Sequence, residues 1–140
     1  MRAGRALLAV AALACGHVEV PAGTAERATE QCRAHSESLP ATAFSTDGCS
    51  AWPDGSWLAC CIEHDIAYWC GGSKVERITA DLELRRCVAQ ERSEAFAWLT
   101  WTGVRMGGHP ALPLPWRWGY GRPWPTPYSQ ASDESCEEAE

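Results

Sequence analysis

The sequence predicts an all-α protein whose centre is an antiparallel pair of helices joined by a disulfide. Residues 58 to about 70 contain no helix breaker, Gly71-Gly72 follows them, and a second uninterrupted stretch runs from 73 to at least 89. The chain also carries eight cysteines in 140 residues. In a small exported protein this number indicates a disulfide framework, because a small core needs cross-links.

The first residues have the pattern of a secretory signal peptide. Residues 1–5 are a short basic start, 6–14 are an apolar run, and Ala12-Leu13-Ala14 is a small-x-small cleavage site. The run is too short to span a membrane. We therefore expect residues 1–14 to be removed and the protein to be secreted or periplasmic. Plain secretion and lipid attachment at Cys15 both remain open.

The composition argues against nucleic acid as a partner. The formal charge is −6 at pH 7, and loss of Arg2 and Arg5 with the signal peptide makes it −8. The chain contains no run of Lys or Arg. Affinity for nucleic acid comes mostly from neutralising phosphates, so an acidic chain of this kind is a poor binder.

The mature chain divides into three predicted parts. A polar N-terminal segment, 15–40, holds one short helix at about 26–35, and the core, 41–106, begins with a loop that ends near Trp57. Ser73 and Glu76 predict a capping box for the second helix. Residues 95–106 either continue that helix or form a third one, and their larger apolar side chains are expected in the core: Phe96, Trp98, Leu99 and Trp101.

The C-terminal segment, 107–140, is predicted to be irregular. Six of the nine prolines lie between Pro110 and Pro127, among several tryptophans. Aromatic rings together with Arg117 and Arg122 suit a lipid interface, while packing of the tryptophans on the domain is the alternative. The acidic end, 133–140, is expected to be a solvated tail.

The first helix of the pair has two unlike faces. One carries, at spacings i, i+3, i+4 and i+7, Cys61, His64, Asp65 and Tyr68. A second stripe is apolar and consists of Ile62, Ile66 and Trp69. A titratable stripe beside an apolar face is typical of a helix that lines a site.

The second helix offers His64 a partner. If the helices pack antiparallel across the glycine turn, the numbers of facing residues add to a nearly constant value. Cys60 and Cys87 add to 147, and His64 and Asp81 add to 145. At about 1.5 Å of rise per residue the two pairings are compatible. A Cys60–Cys87 disulfide would therefore bring the Asp81 carboxylate beside the His64 imidazole.

The adjacent cysteines have two interpretations. A Cys49–Cys61 disulfide would hold the upstream loop against the start of the titratable stripe. A zinc site formed by Cys60, Cys61 and His64 is the competing interpretation. Adjacent cysteines fit tetrahedral zinc poorly, the chain has no C-x-x-C pair, and the expected compartment is oxidising.

These motifs resemble those of secreted phospholipases A2. Residues 60–68 read Cys-Cys-Ile-Glu-His-Asp-Ile-Ala-Tyr and match the pattern C-C-x-x-H-D-x-x-Y on a helix. The preceding 45–49 segment is similar to the calcium loop of the bacterial and fungal branch, and Asp81 with Cys87 is similar to the second helix of the animal enzymes. Ala67 and Ala80 stand where the animal family carries a further disulfide. The resemblance covers about 45–88.

The resemblance implies calcium-dependent hydrolysis of the sn-2 ester of glycerophospholipids at a membrane surface. It makes His64 the general base that activates water. Asp81 would orient and charge-stabilise the imidazole, and Tyr68 would brace Asp81 through its hydroxyl group.

The same resemblance implies a Ca²⁺ site. Asp65 and Asp47 would supply carboxylates and Gly48 a backbone carbonyl, with Asp54 as the alternative loop carboxylate. It assigns no partner to Cys32, Cys70 or Cys136, and a Cys32–Cys70 pair is one solution.

Two other functions stay open. The first is a catalytically silent, disulfide-linked surface or membrane-binding protein of the same fold. The second is a structural lipoprotein whose Trp-rich segment binds a membrane or a partner. The sequence identifies no protein partner.

Overall fold

Four helices, each packed against the next in chain order, form the part of the protein that the computed structural model describes, residues 20–50, 52–109 and 120. They are α1 (Thr24–His35), α2 (Leu58–Cys70), α3 (Lys74–Glu91) and α4 (Glu94–Gly107). These residues contain no strand, so the predicted all-α class is confirmed for them. The predicted signal peptide, Cys15 and nearly all of the C-terminal segment lie outside the described residues.

Local signals set the turn between α2 and α3. Gly71 and Gly72 end α2 with φ angles of 78° and 140°, which residues with a Cβ rarely adopt. The Ser73 hydroxyl then accepts a hydrogen bond from the Glu76 amide, and the Glu76 carboxylate accepts one from the Ser73 amide at 2.7 Å. The predicted capping box is confirmed.

Residues 95–106 belong to a separate helix. α3 ends at Glu91, and Ser93 caps α4 by accepting a hydrogen bond from the Phe96 amide. This cap redirects the chain, so that α4 packs back along α3 instead of extending it.

Three disulfides link these elements. Cys60–Cys87 joins α2 to α3, Cys49–Cys61 joins the upstream loop to α2, and Cys32–Cys70 joins α1 to the end of α2. The helix pairing predicts the first pair, the disulfide interpretation of the adjacent cysteines predicts the second, and the third resolves the open pairing. Cys136 lies outside the described residues.

The apolar side chains form two main clusters on opposite sides of α2. The stripe of Ile62, Ile66 and Trp69 packs against α1. On the other side, residues of α2, α3 and α4 enclose Trp57, whose ring meets Trp52 and Phe96 edge to face at 6.4 and 5.1 Å between ring centroids. α2 is thus buried on two sides.

The expectation that all four large apolar residues of α4 lie in the core is wrong for two of them. Trp98 and Leu99 are 54% and 48% exposed. The reason is that only a narrow face of α4 meets the domain: Ala97 and Thr100 are buried there and Phe96 and Val104 partly so, while Trp98 and Leu99 lie off that face. No helix in the described ranges is long and apolar enough to cross a bilayer.

We predict that removing the Cys60–Cys87 bond lowers the free energy of unfolding by about 3 to 4 kcal/mol, because the bond closes a chain segment of 27 residues in sequence separation. Denaturant unfolding of Cys60→Ala with Cys87→Ala measures this loss. The matched control, Cys32→Ala with Cys70→Ala, opens a segment of comparable length and leaves the α2–α3 register in place.

Peptide mapping without reduction is the direct check on the pairing. A map that joined Cys60 to Cys61, or either of them to Cys136, would contradict the register of the helix pair.

Candidate functional site

A cavity of about 230 Å³ lies between α2, α4 and the loop before α2. All four residues of the predicted stripe line it: Cys61, His64, Asp65 and Tyr68. Apolar walls come from the other side of the cavity and include Trp52, Trp57, Leu84 and Val104. The titratable face of α2 therefore opens into an apolar pocket.

His64 is held by Asp81 across the helix pair. Its Nε2 lies 2.9 Å from Oδ1 of Asp81, and the two side chains are 9% and 0% exposed. The carboxylate can only accept, so Nε2 carries the hydrogen and donates it. In the neutral ring Nδ1 is then an acceptor, and no described residue donates to it.

Asp81 receives hydrogen bonds from two further side chains. The Tyr68 hydroxyl donates to Oδ1 at 2.7 Å, and Arg105 Nη1 of α4 donates to Oδ2 at 2.6 Å. Burial acts to raise the pKa of Asp81, but the hydrogen bond and charge of His64, together with the bonds from Tyr68 and Arg105, outweigh it and lower that pKa. Asp81 is therefore ionised.

Tyr68 is enclosed by charged and aromatic neighbours. Arg77 Nε donates to its hydroxyl at 2.9 Å, and the His64 ring lies 4.2 Å away between centroids. Burial, followed by the charge of Asp81, raises the pKa of Tyr68. The phenol keeps its proton and donates it to Asp81.

Arg77 also ties α4 to this network. Its side chain is almost fully buried, and Nη2 donates to the carbonyl oxygens of Val104 and Arg105 at 3.1 and 3.0 Å. These carbonyls lie in the last turn of α4, and that of Val104 also accepts a hydrogen bond from the Gly108 amide at 2.9 Å. One guanidinium group therefore connects Tyr68 to the end of α4.

Neither Arg77 nor Arg105 was predicted from the sequence to belong to the site. Arg77 could have been found, because its number and that of Tyr68 add to 145, the value of the His64–Asp81 pair. Arg105 had no comparable signal, since spacing within the α2–α3 pair says nothing about where a third helix docks.

The loop before α2 is attached to Asp65. The Thr46 hydroxyl donates to Oδ2 of Asp65 at 2.5 Å and accepts from the Gly48 amide at 3.0 Å. The pKa of Asp65 is raised to about 7, mainly by burial. The Thr46 hydrogen bond opposes this rise, and the charge of Asp47 adds to it. A cation next to Asp65 would therefore stabilise its ionised form.

Of the predicted calcium ligands, Asp65 and Gly48 line the cavity, and Asp47 and Asp54 do not. Asp47 is exposed and accepts from the Ser50 hydroxyl, while Asp54 accepts from the Cys49 amide and thereby holds the loop. Within the described ranges no three His, Cys, Asp or Glu side chains are grouped closely enough to hold a metal ion. An ion here would also need backbone carbonyls, water or substrate.

The zinc interpretation is wrong. Both cysteines that it requires are in disulfides, Cys60 with Cys87 and Cys61 with Cys49, so neither offers a thiolate.

Comparisons of the chain with protein-family models, with curated proteins and with solved structures give no significant match.

We predict that Gly108→Ala destabilises the protein by about 1 to 3 kcal/mol through overpacking. A Cβ at this position would lie 2.7 Å from Cε1 of Tyr68 and 2.7 Å from the Val104 carbonyl oxygen. Gly103→Ala, inside α4, is the control for Gly108, which caps the C-terminal end of that helix. The Cβ of Gly103→Ala meets nothing within 4 Å, and this variant should gain about 0.5 to 1 kcal/mol from helix propensity. Equal unfolding midpoints in urea for the two variants would refute the close approach.

We predict that Asp65 makes stability fall as pH rises. The folded pKa, about 7, lies above the ordinary value of 3.8, so between these values the unfolded chain releases a proton that the folded protein keeps. Relative to Asp65→Asn, the free energy of unfolding without divalent cations should drop by up to about 4 kcal/mol from pH 4 to pH 7. Parallel stability curves for the two proteins would show that Asp65 titrates normally.

Proposed function

We propose that the protein is a calcium-dependent phospholipase A2, which hydrolyses the sn-2 ester of glycerophospholipids with a water activated by His64. One observation carries the proposal. His64 faces an apolar cavity, a buried carboxylate fixes its Nε2, and its Nδ1 has no partner among the described residues. In a histidine held in this way the other ring nitrogen, Nδ1, is available to act as a base.

The chemical step that follows is general-base catalysis. Nδ1 of His64 takes a proton from a water molecule in the cavity while the water oxygen attacks the ester carbonyl carbon, and no acyl-enzyme forms. The proton then passes from Nδ1 to the leaving alkoxide. A positioned base of this kind contributes roughly 10² to 10⁴-fold to the rate.

Asp81 keeps the imidazole in the required tautomer and stabilises it once it is charged. Its own ionisation is secured by Tyr68 and by Arg105, which occupy the lone pairs that His64 leaves. The three donors come from two helices, so the acid cannot turn away from the histidine without breaking the other bonds.

The oxygen groups beside His64 fit Ca²⁺. Asp65 and the Gly48 carbonyl lie at the cavity and would hold it, and Asp47 would join them only by turning its exposed side chain away from the Ser50 hydroxyl. Calcium accepts backbone carbonyls and water to complete its 6 to 8 ligands. Burial and the charge of Asp47 raise the pKa of Asp65, so its ionised form is unfavourable in the folded protein. A bound cation would stabilise that form. When bound, calcium polarises the ester carbonyl and stabilises the oxyanion.

The surroundings of the cavity suit a lipid. Its apolar walls favour an acyl chain over a polar substrate. On α4, Trp98, Leu99 and Met106 are exposed beside residues of the same helix that line the cavity. A tryptophan ring settles at the depth of phospholipid headgroups, and the Leu and Met side chains add apolar surface there. A secreted enzyme at a phospholipid surface is consistent with the disulfide framework.

The decisive experiment uses the oxidised full chain and vesicles of a phospholipid with different acyl chains at sn-1 and sn-2. We expect release of the sn-2 fatty acid with calcium and none after chelation. Binding to vesicles without release would favour the catalytically silent alternative, and release of the sn-1 chain would contradict the assigned bond.

His64→Gln is expected to abolish hydrolysis, a loss of at least 10²-fold, and to leave calcium affinity nearly unchanged, because the base is not a ligand. Asp65→Lys is the paired variant. It should lose calcium binding and activity together, since it removes a ligand and adds an ammonium group. Calcium titration calorimetry and fatty-acid release measure the two effects. Turnover retained in His64→Gln would overturn the mechanism, and calcium protecting Asp65→Lys against thermal unfolding would show that Asp65 is not a ligand.

A further inference from the structure

We propose that Tyr120 is a positioning residue: its ring holds α2 and α3 together at the level of Tyr68, and through Tyr68 it fixes Asp81 and His64. The effect of Tyr120 on catalysis rests on the function proposed above. Its effect on the packing of α2 against α3 does not, and the two effects are measured separately below.

Tyr120 lies in the interior beside the site, although it follows the end of α4 by 13 residues. Its side chain is 2% exposed and belongs to a cluster with Tyr68 and Ala80, against which Ala67 packs. The Tyr68 and Tyr120 rings meet edge to face, 5.1 Å apart at 84°. This geometry is the favourable one for two aromatic rings.

The backbone of Tyr120 is in a conformation that a bulky residue rarely adopts. Its φ is 51°, and no other non-glycine residue among those described has a positive φ. A residue in this region is strained and persists only where its surroundings fix it. The packing of the ring against Tyr68 and Ala80 is a contact that could offset this strain.

The register of the helix pair explains why a ring is needed here. The residue numbers of Ala67 and Ala80 add to 147, as those of Cys60 and Cys87 do. Each alanine is seven residues, or about two helical turns, from the cysteine on the same helix. The two alanines therefore face each other as the cysteines do. The disulfide links one end of the pair, and at the other end two methyl groups leave space that Tyr120 fills.

The position of Tyr68 connects this packing to the site. Its hydroxyl donates to Oδ1 of Asp81, the same oxygen that accepts from His64. Gly108 closes one side of the Tyr68 ring, and Tyr120 meets its edge. Without Tyr120 the Tyr68 ring can move, and its hydrogen bond to Asp81 loses its fixed geometry.

The first experiment compares Tyr120→Ala with Tyr120→Phe in the oxidised full chain. In Tyr120→Ala we expect amide hydrogen exchange to rise by about tenfold or more in residues 64–70 and 74–82, because the contact between these turns is lost. Tyr120→Phe keeps the ring and should stay within about threefold of the parent. Ile62→Ala is the matched control, since it removes buried apolar surface from the opposite face of α2.

The second experiment is a rescue. In the Tyr120→Ala background, Ala67→Cys with Ala80→Cys should form a disulfide, detected by peptide mapping, and restore slow exchange in both segments. For phospholipid hydrolysis, Tyr120→Ala should lower kcat by about tenfold or more with little change in KM, since misplacing a positioned group by 1 Å costs on the order of 10²-fold. The disulfide should recover most of that loss, and Ile62→Ala should leave kcat unchanged.

Three results would overturn the proposal: exchange unaltered by Tyr120→Ala, a loss in Tyr120→Phe as large as in Tyr120→Ala, or a new pair of cysteines that stays reduced or restores nothing. A parent protein that hydrolyses no phospholipid would refute the proposed function alone, because the exchange and rescue measurements do not depend on turnover.

Discussion

The buried carboxylate of Asp81 is the group around which the rest of the site is arranged. A charge with no contact with water is stable only where donors surround it. Here α2 supplies His64 and Tyr68, and α4 supplies Arg105. The need to satisfy one acid therefore brings three helices to a common point, and removal of any donor would leave that acid undercompensated in the interior.

The two aspartates next to His64 have pKa values that are shifted in opposite directions. Asp81 has a lowered pKa because strong donors outweigh its burial. Asp65, the neighbour of His64 in sequence, has a raised pKa because burial and the charge of Asp47 outweigh one hydroxyl donor. Environments that push the pKa values of two acids apart assign them different tasks. In the proposed enzyme Asp81 is a permanent anion for the imidazole, and Asp65 is a ligand that gains from a cation.

A disulfide and side-chain packing together hold α2 against α3. The Cys60–Cys87 bond fixes one end, and the glycine turn and the Ser73 capping box fix the other, close to Tyr68. The contacts of Tyr68 with Arg77 and Tyr120 act at this second end. Because the His64–Asp81 bond is only 2.9 Å long, a small shift in register would break it.

The sequence by itself determined α1, α2, α3, the Cys60–Cys87 disulfide and the His64–Asp81 contact. These follow from helical periodicity, turn residues and a constant register along one hairpin, all of which are local or nearly local. The tertiary structure alone decided what α4 and Tyr120 contribute. Arg105 on Asp81, the exposure of Trp98, and the packing of Tyr120 on Tyr68 depend on how distant segments dock. Docking is set by the fit of whole surfaces, for which residue spacing carries no signal.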